Sequence, residues 1–215
     1  MAVPELTPIL RFLHIDNLRL CLRRGGMHAP NHTPSDGLVY RTIHSVDVQT
    51  KRHHAAIPCG PEGTVHDYVP FYFGPLSPMM LNLKTGRVAG YDEGQEPLIY
   101  VVSTCQAVAE ADIPFAFSDG HGIAIFTEWF DDLGNLDHVD WNMIGERYWA
   151  DRLDDMDRQR RKQAEFLVWQ FCPWSLVTEV VVIDQTRKAQ VERILAKRPA
   201  EQNRVVTVRR DWYYS

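Results

Sequence analysis

The chain has 215 residues, of which 45% are hydrophobic and 24% are charged. This composition excludes a disordered chain, which would carry fewer apolar residues or a larger charge excess. No apolar run approaches the ~20 residues that span a bilayer, and the start lacks a basic stretch followed by an apolar one. We therefore expect a single domain over 1–215 that is cytoplasmic and not associated with a membrane.

The net charge of −5 is unevenly distributed along the chain. Residues 1–60 and 141–215 each carry a net charge of +3, whereas residues 61–140 carry −11. The overall negative charge disfavours a protein that coats nucleic acid by bulk attraction. A polyanion would therefore bind to residues 1–60 and 141–215. Composition alone favours the alternative, in which the segment charges average out over the folded surface.

Cysteines and histidines give no metal motif. The four cysteines are scattered without a CxxC pair, which predicts buried free thiols rather than disulfides or a zinc knuckle. The nine histidines form no HExxH pattern. If His53 and His54 lie on a strand, they point to opposite sides of it. We expect no metal site.

Three segments of the first half have clear local signals. Asp16 as an N-cap and two glycines at the end predict an amphipathic helix over 16–26. Residues 27–39 are rich in Pro, Asn, Asp and Gly, as is typical of a loop. Three prolines among the aromatic residues of 66–80 predict a short strand that leaves into a constrained loop, not a helix.

The second half alternates strands with short helices. Ser103 or Thr104 caps the first of these helices, the SDGHG sequence at 118–122 is a turn, and 150–163 is almost continuously charged. This alternation, with many loops, predicts a single α+β domain. The predicted strands are 97–102, 165–171, 179–183 and 205–208, and the predicted helices are 103–112, 140–149 and 187–197.

Glu165 is unusual because it opens an otherwise apolar strand in the sequence QAEFLVWQF. Period two places it on one face with Leu167, Trp169 and Phe171. A carboxylate partly withdrawn from water needs partners, since burial without them favours its neutral form. The spacing alone favours an exposed strand end over a functional carboxylate. The ion-pair partners would then be Arg158, Arg160, Arg161 or Lys162.

Two further segments are ambiguous. Arg52 lies in VQTKRHHAAIP, where two cations and two histidines could bind a phosphate or a developing anion, or could equally form a solvated face. The aromatic residues of YVPFYF are usually core, and only sometimes a stacking platform for a base or nicotinamide. No glycine-rich phosphate loop is present, because the RRGG sequence follows a helix instead of opening one.

Five segments in order resemble the DarT family, toxins of toxin–antitoxin pairs that ADP-ribosylate DNA. The similarity runs from about Thr7 to the terminal DWYY. It implies an α+β ADP-ribosyltransferase fold, in which two packed, mostly antiparallel sheets with flanking helices form a cleft for NAD. The segments are HIDNL at 14–18, VQTKR at 48–52, HDYVPFYF with a later SPM at 66–79, GQEP at 94–97, and QAEFLV with a following PW at 163–174.

The resemblance also assigns site residues. Glu165 matches the catalytic glutamate of the family, and Arg52 matches its essential arginine. Relatives usually have His and Thr where this chain has Arg11 and Leu13, although an arginine can still donate to a ribose hydroxyl, a phosphate or a carboxamide oxygen. The NAD-binding residues implied by the resemblance are Arg11, Phe12, Leu13, His14, Leu20, His28, Arg52 and Tyr72.

The function implied by the resemblance is NAD-dependent ADP-ribosylation of a base, thymidine, in single-stranded DNA. NAD is the ADP-ribose donor, no metal is needed, and a macrodomain antitoxin is the partner. We expect the 118–140 loop and the charged run 150–163, with its RQRRK cations, to face the DNA. Two alternatives stay open at this point. One is an ADP-ribosyltransferase of protein or RNA, and the other is a binding module in which Glu165 and Arg52 form a structural ion pair.

Overall fold

An eight-stranded sheet forms the centre of the fold in a computed structural model that describes residues 2–215. Its strands run in the order β10-β9-β4-β1-β3-β7-β5-β6, and β2 pairs with β8 in a second, small sheet. Neighbours are antiparallel except β9 and β10, so the predicted α+β class is confirmed. The strands are β1 (Pro8–His14), β2 (Gly26–His28), β3 (Tyr68–Tyr72), β4 (Leu98–Thr104), β5 (Phe115–Ser118), β6 (Trp129–Phe130), β7 (Glu165–Trp169), β8 (Phe171–Pro173), β9 (Glu179–Val182) and β10 (Val205–Val208).

Seven α-helices of the described residues flank these sheets. None of them is long and apolar enough to cross a membrane. The helices are α1 (Ile15–Arg23), α2 (Val46–His54), α3 (Pro78–Lys84), α4 (Cys105–Glu110), α5 (Trp141–Gly145), α6 (Arg158–Arg161) and α7 (Gln185–Leu195).

Both faces of the central strands are covered. In β7, Phe166 and Val168 pack into the main hydrophobic cluster, whereas Leu167 packs on the opposite face with Tyr68 and Ala116. Each of these five side chains is fully buried, and burial of a large apolar side chain contributes on the order of 1.5–3 kcal/mol. The strands that carry Glu165 and its neighbours are therefore rigid elements.

The strand predicted over 165–171 is interrupted at Gln170, which has a φ of 54°. Its N–H donates to the Asp67 carbonyl and its carbonyl accepts from the Ala29 N–H, each at 2.8–2.9 Å. This left-handed residue breaks the pleat, so Phe171 belongs to the small sheet. The prediction that Phe171 lies on the same strand face as Glu165 is therefore wrong.

Three helices were not predicted from the sequence: α2, α3 and the short α6 in the charged run 150–163. The placement of His53 and His54 on a strand is wrong, since they end α2, a helix that buries only Arg52 and so has no apolar periodicity. The loop predicted to continue to residue 80 is also wrong at its end. Ser77 caps α3, with its Oγ accepting from the Met80 N–H at 3.3 Å, and Pro78 occupies the first helical position.

Helix ends differ from the predictions by a few residues. His14, not Asp16, caps α1, because its Nδ1 accepts from the Asp16 N–H at 3.1 Å. Thr104 caps α4, which confirms one of the two caps predicted for this helix. The helix predicted over 140–149 ends at residue 145, and Tyr148, beyond that end, is 73% exposed.

The GQEP segment fastens the C-terminal tail to the sheet. Gln95 is 1% exposed, and its side-chain amide accepts from the Tyr214 N–H at 2.9 Å and donates to the Tyr214 carbonyl at 2.6 Å. The Tyr214 hydroxyl in turn donates to the Leu76 carbonyl at 2.5 Å, immediately before α3. A single buried amide thus pairs a chain end with the segment that leads into α3.

We expect Gln95→Ala to lower the free energy of unfolding by about 2–3 kcal/mol, because it leaves two buried backbone groups of Tyr214 without partners. Denaturant unfolding would measure the change. Glu96→Ala is the matched control, since Glu96 is the exposed next residue and should change stability by less than about 0.5 kcal/mol. Equal effects of the two substitutions would contradict this role of Gln95.

Candidate active site

A cavity of about 580 Å³ lies beside the middle of the large sheet. Residues of β1, β3 and β7 form one part of its wall, and residues of α2 and α3 form another. The remaining wall comes largely from residues 33–45, which contain no helix or strand and are called the cover segment below. This volume is within the range of about 300–1,000 Å³ that is usual for ligand sites.

A buried ion pair joins α2 to β7 in the cavity wall. Arg52 Nη1 lies 2.8 Å from Glu165 Oε1, and Arg52 Nη2 lies 2.6 Å from Glu165 Oε2. The two residues are 8% and 3% exposed. Glu165 is positioned by the register of β7 on β3, in which it lies opposite Tyr72. The bidentate geometry is the strongest form of an arginine–carboxylate contact.

The local charges keep Glu165 ionised. Burial alone would raise its pKa, but the Arg52 guanidinium, the nearby His121 and the Gly122 N–H hold that pKa below its ordinary value. The Gly122 N–H donates to Glu165 Oε1 at 3.2 Å. An exposed strand end with a surface ion pair, which the spacing favoured for Glu165, is therefore wrong.

The SDGHG turn is built around this glutamate. The Glu165 N–H donates to Ser118 Oγ at 3.2 Å, and Ser118 Oγ donates to the Gly120 carbonyl at 2.6 Å. A Cβ on Gly120 would lie 2.3 Å from Arg160 Nη1, so only glycine fits beneath that guanidinium. Sequence reasoning recognised a turn here but not its role. The signal available was a histidine between two glycines, preceded by a serine and an aspartate.

His121 was missed as a site residue. Its side chain lines the cavity, and burial lowers its pKa, against the opposing effect of the Glu165 carboxylate. Its backbone N–H donates to the Arg160 carbonyl at 3.0 Å. Other cavity residues that the sequence analysis did not single out are Tyr40, His44, Gln49, His66, Met79, Gln159 and Gln163.

The RQRRK cations do not form a free basic surface. Arg160 pairs with Asp119 and Asp157, and Arg161 pairs with Asp140 and Asp155. Lys162 is 4% exposed and donates to the backbone carbonyls of residues 144 and 146 at 2.7 and 2.8 Å. Burial lowers the pKa of Lys162 to about 8. These three cations hold the loops around the turn together, and the expectation that the 118–140 loop and the charged run 150–163 face DNA stays a prediction.

The HIDNL segment holds the cover segment. Asn17 Nδ2 donates to the Arg41 carbonyl at 2.9 Å, and its Oδ1 accepts from the Arg41 N–H at 2.7 Å. The Arg41 side chain bonds Asp16 and Glu93. Since these residues fix one end of a segment without regular structure, and Asn17 and Arg41 themselves line the cavity, this motif shapes the cavity wall.

Arg24 holds the cover segment at a second point. Its guanidinium pairs with Asp36 at 2.6 Å, donates to the Leu38 carbonyl at 2.7 Å, and stacks over the Tyr40 ring at 5.0 Å. The cover segment is thereby fixed on both sides of its middle residues.

Of the NAD-binding residues that the resemblance implied, six line the cavity and two do not. Arg11 reaches across β3, where its Nη1 donates to the Pro70 carbonyl at 2.8 Å. His14 is buried at the cap of α1 and borders a separate, smaller cavity, while Leu20 is half-buried on α1. The six in the wall are Arg11, Phe12, Leu13, His28, Arg52 and Tyr72.

No metal centre is formed in the part of the chain that the structure describes. Within residues 2–215, no three His, Cys, Asp or Glu side chains are grouped so that they could hold a metal ion. All four cysteines are free, and three of them are buried, as the sequence predicted.

Comparisons with known proteins identify the family. A model of the family described as "ssDNA thymidine ADP-ribosyltransferase, DarT" matches residues 10–214. A DNA ADP-ribosyl transferase of Thermus sp. (strain 2.9) is 41% identical over 211 residues, which cover 98% of each chain. The structure of Thermus sp. 2.9 DarT in complex with ADP-ribosylated ssDNA matches with a TM-score of 0.93 at 40% identity, over 100% of this chain and 99% of the other. Its complex with NAD+ matches with a TM-score of 0.88 at 40% identity, over 99% and 100%. The chain belongs to the DarT family.

Proposed function

We propose that this protein is a single-domain enzyme that transfers ADP-ribose from NAD to thymidine in single-stranded DNA. The observation that carries the proposal is the buried, bidentate Arg52–Glu165 pair in the wall of a cavity of about 580 Å³. Related DarT structures contain NAD+ and ADP-ribosylated ssDNA. The residue pair and the family thus support the same reaction.

Glu165 stabilises the positive charge of the donor ribose. The bond between the nicotinamide nitrogen and the anomeric carbon breaks, and the ribose passes through a state that resembles an oxocarbenium ion. A carboxylate that accepts a hydrogen bond from the ribose 2′-hydroxyl stabilises this state, most strongly where water is excluded. Leu167, fully buried on the same strand, and Tyr72, opposite Glu165, contribute to this exclusion.

Arg52 stabilises the acceptor rather than removing its proton. As the thymine imide nitrogen bonds to the anomeric carbon, it loses its proton to solvent and nicotinamide leaves as a neutral molecule. A guanidinium remains protonated and cannot act as an ordinary base. It can stabilise the imide anion, and because it already contacts both carboxylate oxygens of Glu165, it also sets the orientation of that side chain.

The donor contacts belong to the residues of the cavity wall. We assign Arg11, Phe12, Leu13, His28, Arg52 and Tyr72 to NAD, since all six line the cavity. Phe12 and Tyr72 stack on each other at 5.8 Å between ring centroids. His14 is assigned to the cap of α1 instead, and Leu20 is left without a role in binding.

The biological role follows from the family. We propose that the protein acts in the cytoplasm as the toxin of a toxin–antitoxin pair, with a macrodomain protein that removes the modification as its antitoxin. A base edge must be reachable for the transfer, which favours single strands over duplex DNA. The alternative acceptors are protein and RNA, because the same glutamate would serve them.

Incubation with NAD and separate pools of single-stranded DNA, duplex DNA, RNA and protein tests the acceptor. Mass spectrometry should find one ADP-ribosyl group on a thymine of the single-stranded oligonucleotide. Glu165→Gln should abolish this product while the variant remains folded, because the neutral amide cannot stabilise the ribose cation. Glu110→Gln, an exposed change on α4, is the control and should keep full activity. Modification of RNA or protein alone would contradict the proposal.

Arg52→Lys should reduce transfer by at least about 10²-fold, since a point charge cannot hold both oxygens of Glu165. Rates of oligonucleotide modification would measure the loss. Arg193→Lys on the exposed surface of α7 is the matched control and should change nothing. A near-normal rate of the Arg52→Lys variant would mean that charge alone, without the bidentate contact, is sufficient.

Gly122→Ala should slow transfer about tenfold or more while the protein stays folded. The added Cβ would lie 3.1 Å from Glu165 Oε1 and 3.2 Å from the Trp129 ring, and Glu165 is held by Arg52 and cannot easily move away. Steady-state kinetics would measure the effect. Gly134→Ala, whose Cβ would meet only the Asp132 carboxylate at 3.3 Å or more, is the control. Equal activity of the two variants would show that the position of Glu165 tolerates this contact.

A further inference from the structure

A row of imidazole rings leads from the cavity wall to the surface beside Arg52. His66 lines the cavity, and its Nε2 lies 3.0 Å from Gln49 Oε1. The His53 ring lies 5.3 Å from the His66 ring and 5.0 Å from the His54 ring, measured between centroids. His53 and His54 are exposed. The row thus joins the site to solvent, and the proposed chemistry does not use it.

Basic residues are concentrated at the C-terminal end of α2. A helix C-terminus attracts a cation through its partial negative charge, but here all of residues 51–54 are basic. Arg52 is neutralised by Glu165. Among residues 2–215, no carboxylate lies within ion-pair distance of Lys51, His53 or His54. These three side chains are therefore available to an external anion.

We propose that Lys51, His53 and His54 bind a phosphodiester of the single-stranded DNA next to the nucleotide that is modified. The inference rests on the proposed function. The three side chains are exposed and outside the cavity lining, whereas the phosphates of NAD belong with the donor inside the cavity. Lys51 lies three residues before His54 and so on the same side of the helix, and the His53 ring lies 5.0 Å from the His54 ring, so the three side chains form one exposed patch beside Arg52. A strand whose base contacts Arg52 passes over them.

The inner end of the row does not supply the charge. Burial lowers the pKa of His66 to about 4, so this ring is neutral at physiological pH. The other groups that act on His66 are Arg52, His53, His44 and Asp67. The Asp67 carboxylate is engaged by Asn31, His32 and Thr64.

Fluorescence anisotropy with a labelled single-stranded oligonucleotide at a series of salt concentrations tests the site. The double variant His53→Gln/His54→Gln should bind several-fold more weakly than the wild-type protein. Lys51→Gln should reduce the slope of log affinity against log salt by about 1. Arg193→Gln/Lys197→Gln, two exposed changes at the C-terminal end of α7 and just beyond it, is the control.

Three outcomes test the site and distinguish a DNA phosphate from the phosphates of NAD. Unchanged affinity in the double variant would overturn the site. A raised KM for NAD with unchanged oligonucleotide binding would also overturn it, since the phosphate would then belong to the donor. If the variants lose DNA affinity as expected but the protein modifies only RNA or protein, the site is supported and the proposed acceptor is overturned.

Discussion

The ion pair between Arg52 and Glu165 is the constraint on which the site depends. Both groups are almost completely removed from water, and removing one partner would leave the other as a buried, uncompensated charge, at a cost of about 3–5 kcal/mol. A buried ion pair is often no more stable than an apolar replacement. Its presence in a cavity wall fits the proposed chemistry, in which the carboxylate must remain ionised where water is excluded, and the guanidinium lowers its pKa accordingly.

Three further sets of charged groups hold the irregular segments around this pair. Arg160 fixes the SDGHG turn, Arg41 and Arg24 fix the cover segment, and each does so through carboxylates and backbone carbonyls. Most of the arginines near the site therefore have internal partners. The net charge of the terminal thirds gives a poor guide to where a polyanion binds, because charge that is already paired attracts little. The unpaired cations at the end of α2 are the exception.

A helix or strand could be predicted from the sequence where the interactions that form it lie within a few residues. The buried strand before Thr104 and the cap of α4 were recognisable because an apolar run and a hydroxyl side chain act within a few residues. α2 was missed because a helix that buries one arginine has no apolar stripe. The end of β7 was missed because a left-handed Gln170 depends on hydrogen bonds to Asp67 and Ala29, which are distant in sequence.

The sequence by itself determined the α+β class and, through five ordered segments, the family, and the same resemblance predicted Glu165 and Arg52 as the catalytic residues. It did so because strand periodicity and short motifs are properties of neighbouring residues. Only the tertiary structure decided which charged side chains pair with each other. The partner of Glu165 lies 113 residues away, while the four cations nearest to it in sequence bind other groups. Long-range pairing depends on strand register and helix placement, and these arise from packing of the whole chain.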